Sequence, residues 1–228
     1  IKVSALLKKQ SVKLSVSDML KAGTIEKMAL AVNQSEANIT QSEVDNALEE
    51  SLKGIEVKAL LQSYGIDQQD TEITMPVTAG QTYFLAMHSL NPEVFYPKFY
   101  YLASAQFNPL VLNCAWSRLI DETRMLRTAF LATGNSQVPY IQTVLKSVRN
   151  PPTWHDDLHH AVSIRHDFGS VLVALHVCQT SRGVAFMLHL HHALYDAVGL
   201  PLMMDRLAQL CSEFKSEPRH GSHNLSHL

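Results

Sequence analysis

Apolar and polar positions follow three different rhythms along this chain. In residues 1–34, Val3, Leu6 and Leu7 fall on one face of a helix that is already running at Ile1. Val12-Lys13-Leu14 makes a short extended connector, and Ser17-Asp18 offers an N-cap for a brief helix through Lys21. Gly23 ends that helix. Thr24 caps the next, which carries Ile25, Met28, Ala29 and Val32 on one side. The second rhythm, residues 35–74, is polar through residue 53, as in Ser35-Glu36-Ala37-Asn38 and Gln41-Ser42-Glu43. It predicts a linker with a short amphipathic helix near 42–52, capped by Ser42, and another short helix over 54–66 closed by Gly65.

From Met75 to Phe214 the apolar density rises. Pro76 to Gln81 form a loop leading into a helix around 80–88, and Phe95 to Ala105, rich in Tyr and Phe, predicts a strand. Asn108-Pro109 starts a helix through about Glu122, with Leu110, Leu112, Ala115, Trp116 and Leu119 on its buried side. Leu126 to Ala132 and Val138 to Val148 are strand-like. Val171 to Cys178 and Val184 to His191 are apolar runs joined by a hairpin-type loop, Gln179 to Gly183. Leu200 to Phe214 returns to helical spacing. Residues 215–228 form a polar tail holding His220, His223 and His227. The fold class is α/β: mixed helix and sheet layers over 75–214, preceded by a small helical unit. No internal repeat is visible.

Composition narrows the field. The 228 residues are 46% apolar, enough to bury a sizeable core. Nineteen basic and 21 acidic residues leave a net charge of −2, so no basic field argues for nucleic acid. Cys114, Cys178 and Cys211 form no CxxC pair and point to buried thiols in a reducing compartment. The longest apolar runs stop short of a membrane span. The chain begins at Ile1 with no leader pattern, and it reads as an excerpt of a longer, cytoplasmic protein.

The candidate chemistry lies in His191-His192-Ala193-Leu194-Tyr195-Asp196, directly after the last apolar strand. An imidazole with an ordinary pKa of about 6.5 can accept a proton near neutral pH. The spacing suits acyl transfer, with one histidine facing a reacting amine or hydroxyl and the aspartate holding the local backbone. Taken alone, a histidine pair at a strand end is more often structural than catalytic. His189 and His191 share one strand face. No cysteine or carboxylate completes a ligand set at informative spacing, so no metal is expected. Trp116 belongs to a helix's apolar face. Tyr83, Tyr96, Tyr100 and Tyr101 are expected to pack rather than to cage a substrate.

Four segments, in this order, resemble parts of the fungal, siderophore-type nonribosomal peptide synthetases. Residues 1–34, especially Leu14 to Leu20 and Gly23 to Met28, are similar to the C-terminal part of a peptidyl carrier domain. Thr78 to Leu85, Met125 to Phe130 and His191 to Asp196 resemble three successive condensation-domain motifs. The resemblance implies a linker over 35–74 and, over 75–214, the N-terminal lobe of a chloramphenicol acetyltransferase-like condensation domain. It implies that a carrier-bound acyl or peptidyl thioester is joined to an acceptor amine, with His192 in the channel, His191 behind it and Asp196 orienting the loop. In the family this aspartate is tied to an arginine, for which Arg127 is the candidate here. The implied cofactor is phosphopantetheine on carrier domains, its attachment serine lying outside this chain. The implied partners are the upstream and downstream carriers. The family has Gly after the motif aspartate, where Ala197 stands here, which implies a slightly different turn. The second condensation lobe has no counterpart in residues 1–228, so the isolated chain is expected to be inactive. The competing readings are a non-catalytic truncated product and a stand-alone acyl-CoA-dependent acyltransferase.

Overall fold

In the computed structural model, which describes residues 3, 6–7, 10, 12, 14–34, 41–104, 108–158 and 167–216, the chain divides into two units, 1–50 and 51–228. Within the smaller unit, Val3, Leu6 and Leu7 are helical as their spacing predicts. The helix expected to start at Ser17-Asp18 starts earlier: α1 spans Val16–Ala22 and its N-cap is Ser15. Asp18 is the reciprocal member of a capping box, its N–H donating to Ser15 Oγ at 3.1 Å. Gly23 ends α1 in the left-handed conformation, φ 68°, its N–H donating to Met19 O at 3.1 Å. Thr24 Oγ1 then accepts from the Lys27 N–H at the start of α2, Ile25–Gln34. A third helix, α3, covers Gln41–Ser51, which places Ser42 inside the helix rather than at its cap. Residues 35–40 and 217–228, parts of the expected linker and polar tail, lie outside the described residues.

The larger unit begins with α4, Val57–Ser63, shorter than the expected 54–66, and Gly65 follows at φ 72°. Leu61 of α4 is buried with Ile66, Ala129, Leu131 and Ile141 in a small core. The expected linker is therefore structural from residue 51 onward. A three-stranded antiparallel sheet has the order β1-β4-β3, built from β1 (Thr71–Pro76), β3 (Thr128–Ala132) and β4 (Tyr140–Leu145). A four-stranded sheet has the order β2-β7-β6-β5, from β2 (Lys98–Ser104), β5 (Thr153–His155), β6 (Val173–Thr180) and β7 (Gly183–Leu190). All its pairings are antiparallel except β5 with β6.

Three helices complete the unit: α5 (Ala79–Leu90), α6 (Pro109–Glu122) and α7 (Gly199–Ser216). Asn108 caps α6 through its Oδ1, and Pro109 takes the first turn, where a missing N–H costs nothing. The buried face of α6 is Val111, Leu112, Ala115, Trp116, Leu119 and Ile120. Leu110, expected on that face, is 67% exposed because it lies in the first turn, off the stripe that Val111, Leu112 and Ala115 bury. Trp116 is fully buried, and its indole N–H donates to Asn150 O at 2.8 Å. The main core joins these residues to Leu85 of α5, Leu175 of β6, Leu188 of β7 and Leu207 and Leu210 of α7. The predicted hairpin is present, with Thr180 paired to Gly183 across a two-residue turn. Leu126 and Arg127, expected to open a strand, lie in a 3-10 turn, Arg124–Arg127, that precedes β3.

Candidate active site

β7 delivers the histidine motif. His189 and Leu190 still pair with Ala174 and Val173 of β6. His191 then leaves the ladder, its N–H donating to Leu172 O at 3.0 Å, and a 3-10 turn covers His192–Leu194. His191 caps that turn, its Nδ1 accepting from the Ala193 N–H at 3.2 Å. With Nδ1 accepting, the ring proton sits on Nε2. The ring is fully buried beside His88 and Tyr96, at centroid distances of 4.9 and 5.7 Å. Burial, then the neighbouring His88 and His192 rings, push its pKa down to about 3. His191 is therefore neutral near pH 7, and its position is interior.

His192 is placed differently. It is half-buried, and its N–H donates to Phe95 O at 2.8 Å. Its ring is stacked on Phe84 at 4.5 Å and 14° and on Tyr195 at 4.6 Å and 15°. Nδ1 is buried with no hydrogen-bond partner among the described residues, Nε2 is not so buried, and the ring lines an open cleft. Phe95 has a φ of 59°, the one positive value at a described non-glycine residue. For a bulky residue that conformation costs roughly 1–3 kcal/mol. It coincides with the carbonyl that receives the His192 N–H.

The cleft has a volume of about 410 Å³. One wall is the start of α5 with Met125: Thr78, Gly80, Gln81 and Phe84. The other runs from His192 to Asp196 and on to Gly199. A second hollow of about 490 Å³ shares Thr78, Gln81 and Met125 and reaches Glu72 and Arg124. Gln81 lines both hollows and Gln142 the second, and Gln81 Nε2 donates to Gln142 Oε1 at 3.3 Å.

Asp196 is exposed at the cleft rim and caps α7. Its Oδ1 accepts from the Gly199 N–H at 2.6 Å and the Val198 N–H at 3.0 Å. These bonds, Gly199 first, hold its carboxyl below the usual carboxylate range. Its negative charge suits a helix N-terminus. Ala197 keeps a negative φ, so alanine fits the turn without backbone strain. The expected tie between Asp196 and Arg127 is replaced by other bonds. Arg127 is buried, and its guanidinium donates to the carbonyls of Ile120, Leu145 and Lys146 and pairs with Glu72 at 3.3 Å. Asp196 takes backbone N–H groups instead, because the α7 terminus supplies them three residues away.

Among the described residues, no cluster of three or more His, Cys, Asp or Glu side chains is placed to hold a metal ion. His189 stacks on Tyr96 at 3.7 Å rather than joining His191. The structure therefore brings His192 and Asp196 to one cleft, puts His191 behind it and places Arg127 elsewhere. Gln81, Phe84 and Phe95 also shape the site. The sequence signal for Gln81 is the Thr78-x-x-Gln81 capping box, and Phe84 follows one turn later. Nothing in the sequence announces Phe95's backbone.

The two sheets and their helices form a condensation-domain fold. A condensation domain from the Monacolin K polyketide synthase MokA matches with a TM-score of 0.54 at 16% identity, covering 63% of this chain and 35% of that one. The chain is homologous to a segment of fungal nonribosomal peptide synthetases, siderophore peptide synthetases among them. It is 37% identical over 217 residues to the nonribosomal peptide synthetase sidC of Arthroderma benhamiae, covering 92% of this chain and 4% of that protein. It is 29% identical over 223 residues to the hydroxamate-type ferrichrome siderophore peptide synthetase of Schizosaccharomyces pombe, again 92% of this chain and 4% of that protein. The chain thus spans a small segment of these relatives. No protein-family model matches it. Among the described residues, no helix is long and apolar enough to cross a membrane.

Proposed function

We propose that this chain supplies the N-terminal lobe of a condensation domain, preceded by the C-terminal part of a peptidyl carrier domain in residues 1–34. In the intact synthetase the domain joins a carrier-bound acyl or peptidyl thioester to an acceptor amine, toward a siderophore-type peptide. The homology covers 92% of the chain and so reaches well into the smaller unit, which belongs to the same stretch of the relative as the rest. Upstream and downstream carriers are the partners, and their phosphopantetheine arms supply the thioester. The cleft suits a slender arm: its walls are largely apolar, with Thr78, Gln81, His192 and Asp196 as the polar groups. Free thiols at Cys114, Cys178 and Cys211 support a reducing, cytoplasmic setting.

The observation that carries this reading is the His192 ring, clamped between two aromatic faces and lining the cleft. In the reaction the amine nitrogen attacks the thioester carbon, the C–S bond breaks and the thiolate leaves. The amine gives up a proton, and Nε2 of His192 is the group positioned to hold or accept it. General-base help of this kind contributes roughly 10²- to 10⁴-fold. His191 supports the turn as a neutral ring, and Asp196 fixes the strand-to-helix connection. The test is His192→Ala in the intact synthetase with both carriers loaded. Product formation should collapse while carrier loading is unchanged, and wild-type product formation would refute the role.

A further inference from the structure

α5 opens with a capping box. Thr78 Oγ1 accepts from the Gln81 N–H at 3.2 Å, and Gln81 Oε1 accepts from the Thr78 N–H at 2.9 Å. A glutamate at this position would close the box equally well, and its charge would suit the helix N-terminus better. The amide does something a carboxylate cannot. Gln81 Nε2 donates to Ala193 O at 3.0 Å and to Gln142 Oε1 at 3.3 Å. Gln142 Nε2 in turn donates to Pro76 O at 3.2 Å and Gln81 Oε1 at 3.4 Å. The Gln81 side chain is therefore held from several sides, and one of its bonds ends on the buried residue that directly follows His192. One turn further along the same helix, Phe84 stacks on the His192 ring. α5 thus grips the backbone of the motif with one side chain and its imidazole with another.

We propose that Gln81 is a positioning residue for His192. Its carboxamide bond to Ala193 O fixes the 3-10 turn, so that the imidazole stays between Phe84 and Tyr195, lining the cleft. The inference rests on the role given above to His192, and its first test does not depend on that role. Gln81→Glu keeps an oxygen for the Thr78 N–H but turns an acceptor toward Ala193 O. In NMR spectra of the 228-residue chain, the wild-type His192 ring protons should lie upfield, shielded by two flanking aromatic faces. In Q81E they should move back toward the position of an unstacked histidine, while the signals of the distant His155 and His176 stay in place. In the intact synthetase the same variant should lower kcat for condensation by up to about 10²-fold, the scale of a small misplacement, with a lesser change in KM. Asn108→Ala, which removes the α6 cap, serves as the stability control: it should lower Tm and leave both readouts alone. A folded Q81E chain with an undisturbed His192 ring would overturn the proposal. A displaced ring with an unchanged kcat would support the positioning and sink the role of His192 instead. Should Q81E fail to fold, the wild-type chain decides through the scalar coupling across the hydrogen bond from Gln81 Nε2 to the Ala193 carbonyl carbon. Its presence supports the proposal and its absence overturns it.

Discussion

Two adjacent imidazoles with opposite surroundings define the residue scale. His191 is sealed in the interior and its pKa is pushed down to about 3, below the ordinary value of 6.5. The unfolded chain therefore binds the extra proton first. The stability due to neutral His191 is fully present above about pH 6.5 and is lost as pH falls toward 3, at up to about 1.4 kcal/mol per pH unit. His191→Asn, which can keep an acceptor for the Ala193 N–H, should flatten the stability curve in that window. Chemical denaturation at a series of pH values checks this, and an unchanged slope would contradict the burial argument. Asp196 acts through backbone bonds at the α7 terminus. Asp196→Ala should cost roughly 1 kcal/mol, and Asp196→Asn, which retains the accepting oxygen, much less. Equal losses in the two variants would mean that the charge, rather than the cap, is what matters.

At the scale of elements, the β6–β7 hairpin places the motif and α5 closes on it. Trp116 anchors the helix layer behind the four-stranded sheet, and Trp116→Ala should lower stability by about 3–5 kcal/mol, measured by denaturant titration. That hairpin is legible in the sequence because two apolar runs flank a turn ending in Gly183, whose φ of 143° suits glycine. α6 is legible from its Asn108-Pro109 start and its period of buried residues. β1 is harder to see. Thr71–Pro76 mixes Glu72 and Thr74 with apolar residues, is only partly buried and ends in a proline. β5, with three residues and an exposed Trp154, is too short to show a period. The Arg124–Arg127 turn resembles a strand because Leu126 and Arg127 are both buried, which composition alone does not distinguish from β-structure. At the site, the motif histidines and aspartate stand out by spacing. The Gln81 bond to Ala193 spans 112 residues, and the partners of Arg127 come from three separate segments, so neither can be read from local pattern.

The whole molecule is a helical unit of residues 1–50 and a two-sheet unit that carries the cleft. The chain covers 35% of a solved condensation domain. Much of the catalytic power of such a site comes from polar groups held in a water-excluded pocket, whereas the cleft in this unit is open. Residues 1–228 alone should therefore form no peptide bond from loaded carriers, and measurable turnover would contradict this. Leu90, Tyr100, Leu102 and Leu202 are all more than half exposed, at 81%, 61%, 59% and 63%. Large apolar side chains in the open favour association, so a sizing column should show the isolated chain self-associating. The most direct measurement is single-turnover condensation by the intact synthetase, wild type against His192→Ala, with donor and acceptor carriers loaded. A rate lower by roughly 10²-fold or more is the expected result, and an unchanged rate would contradict the account.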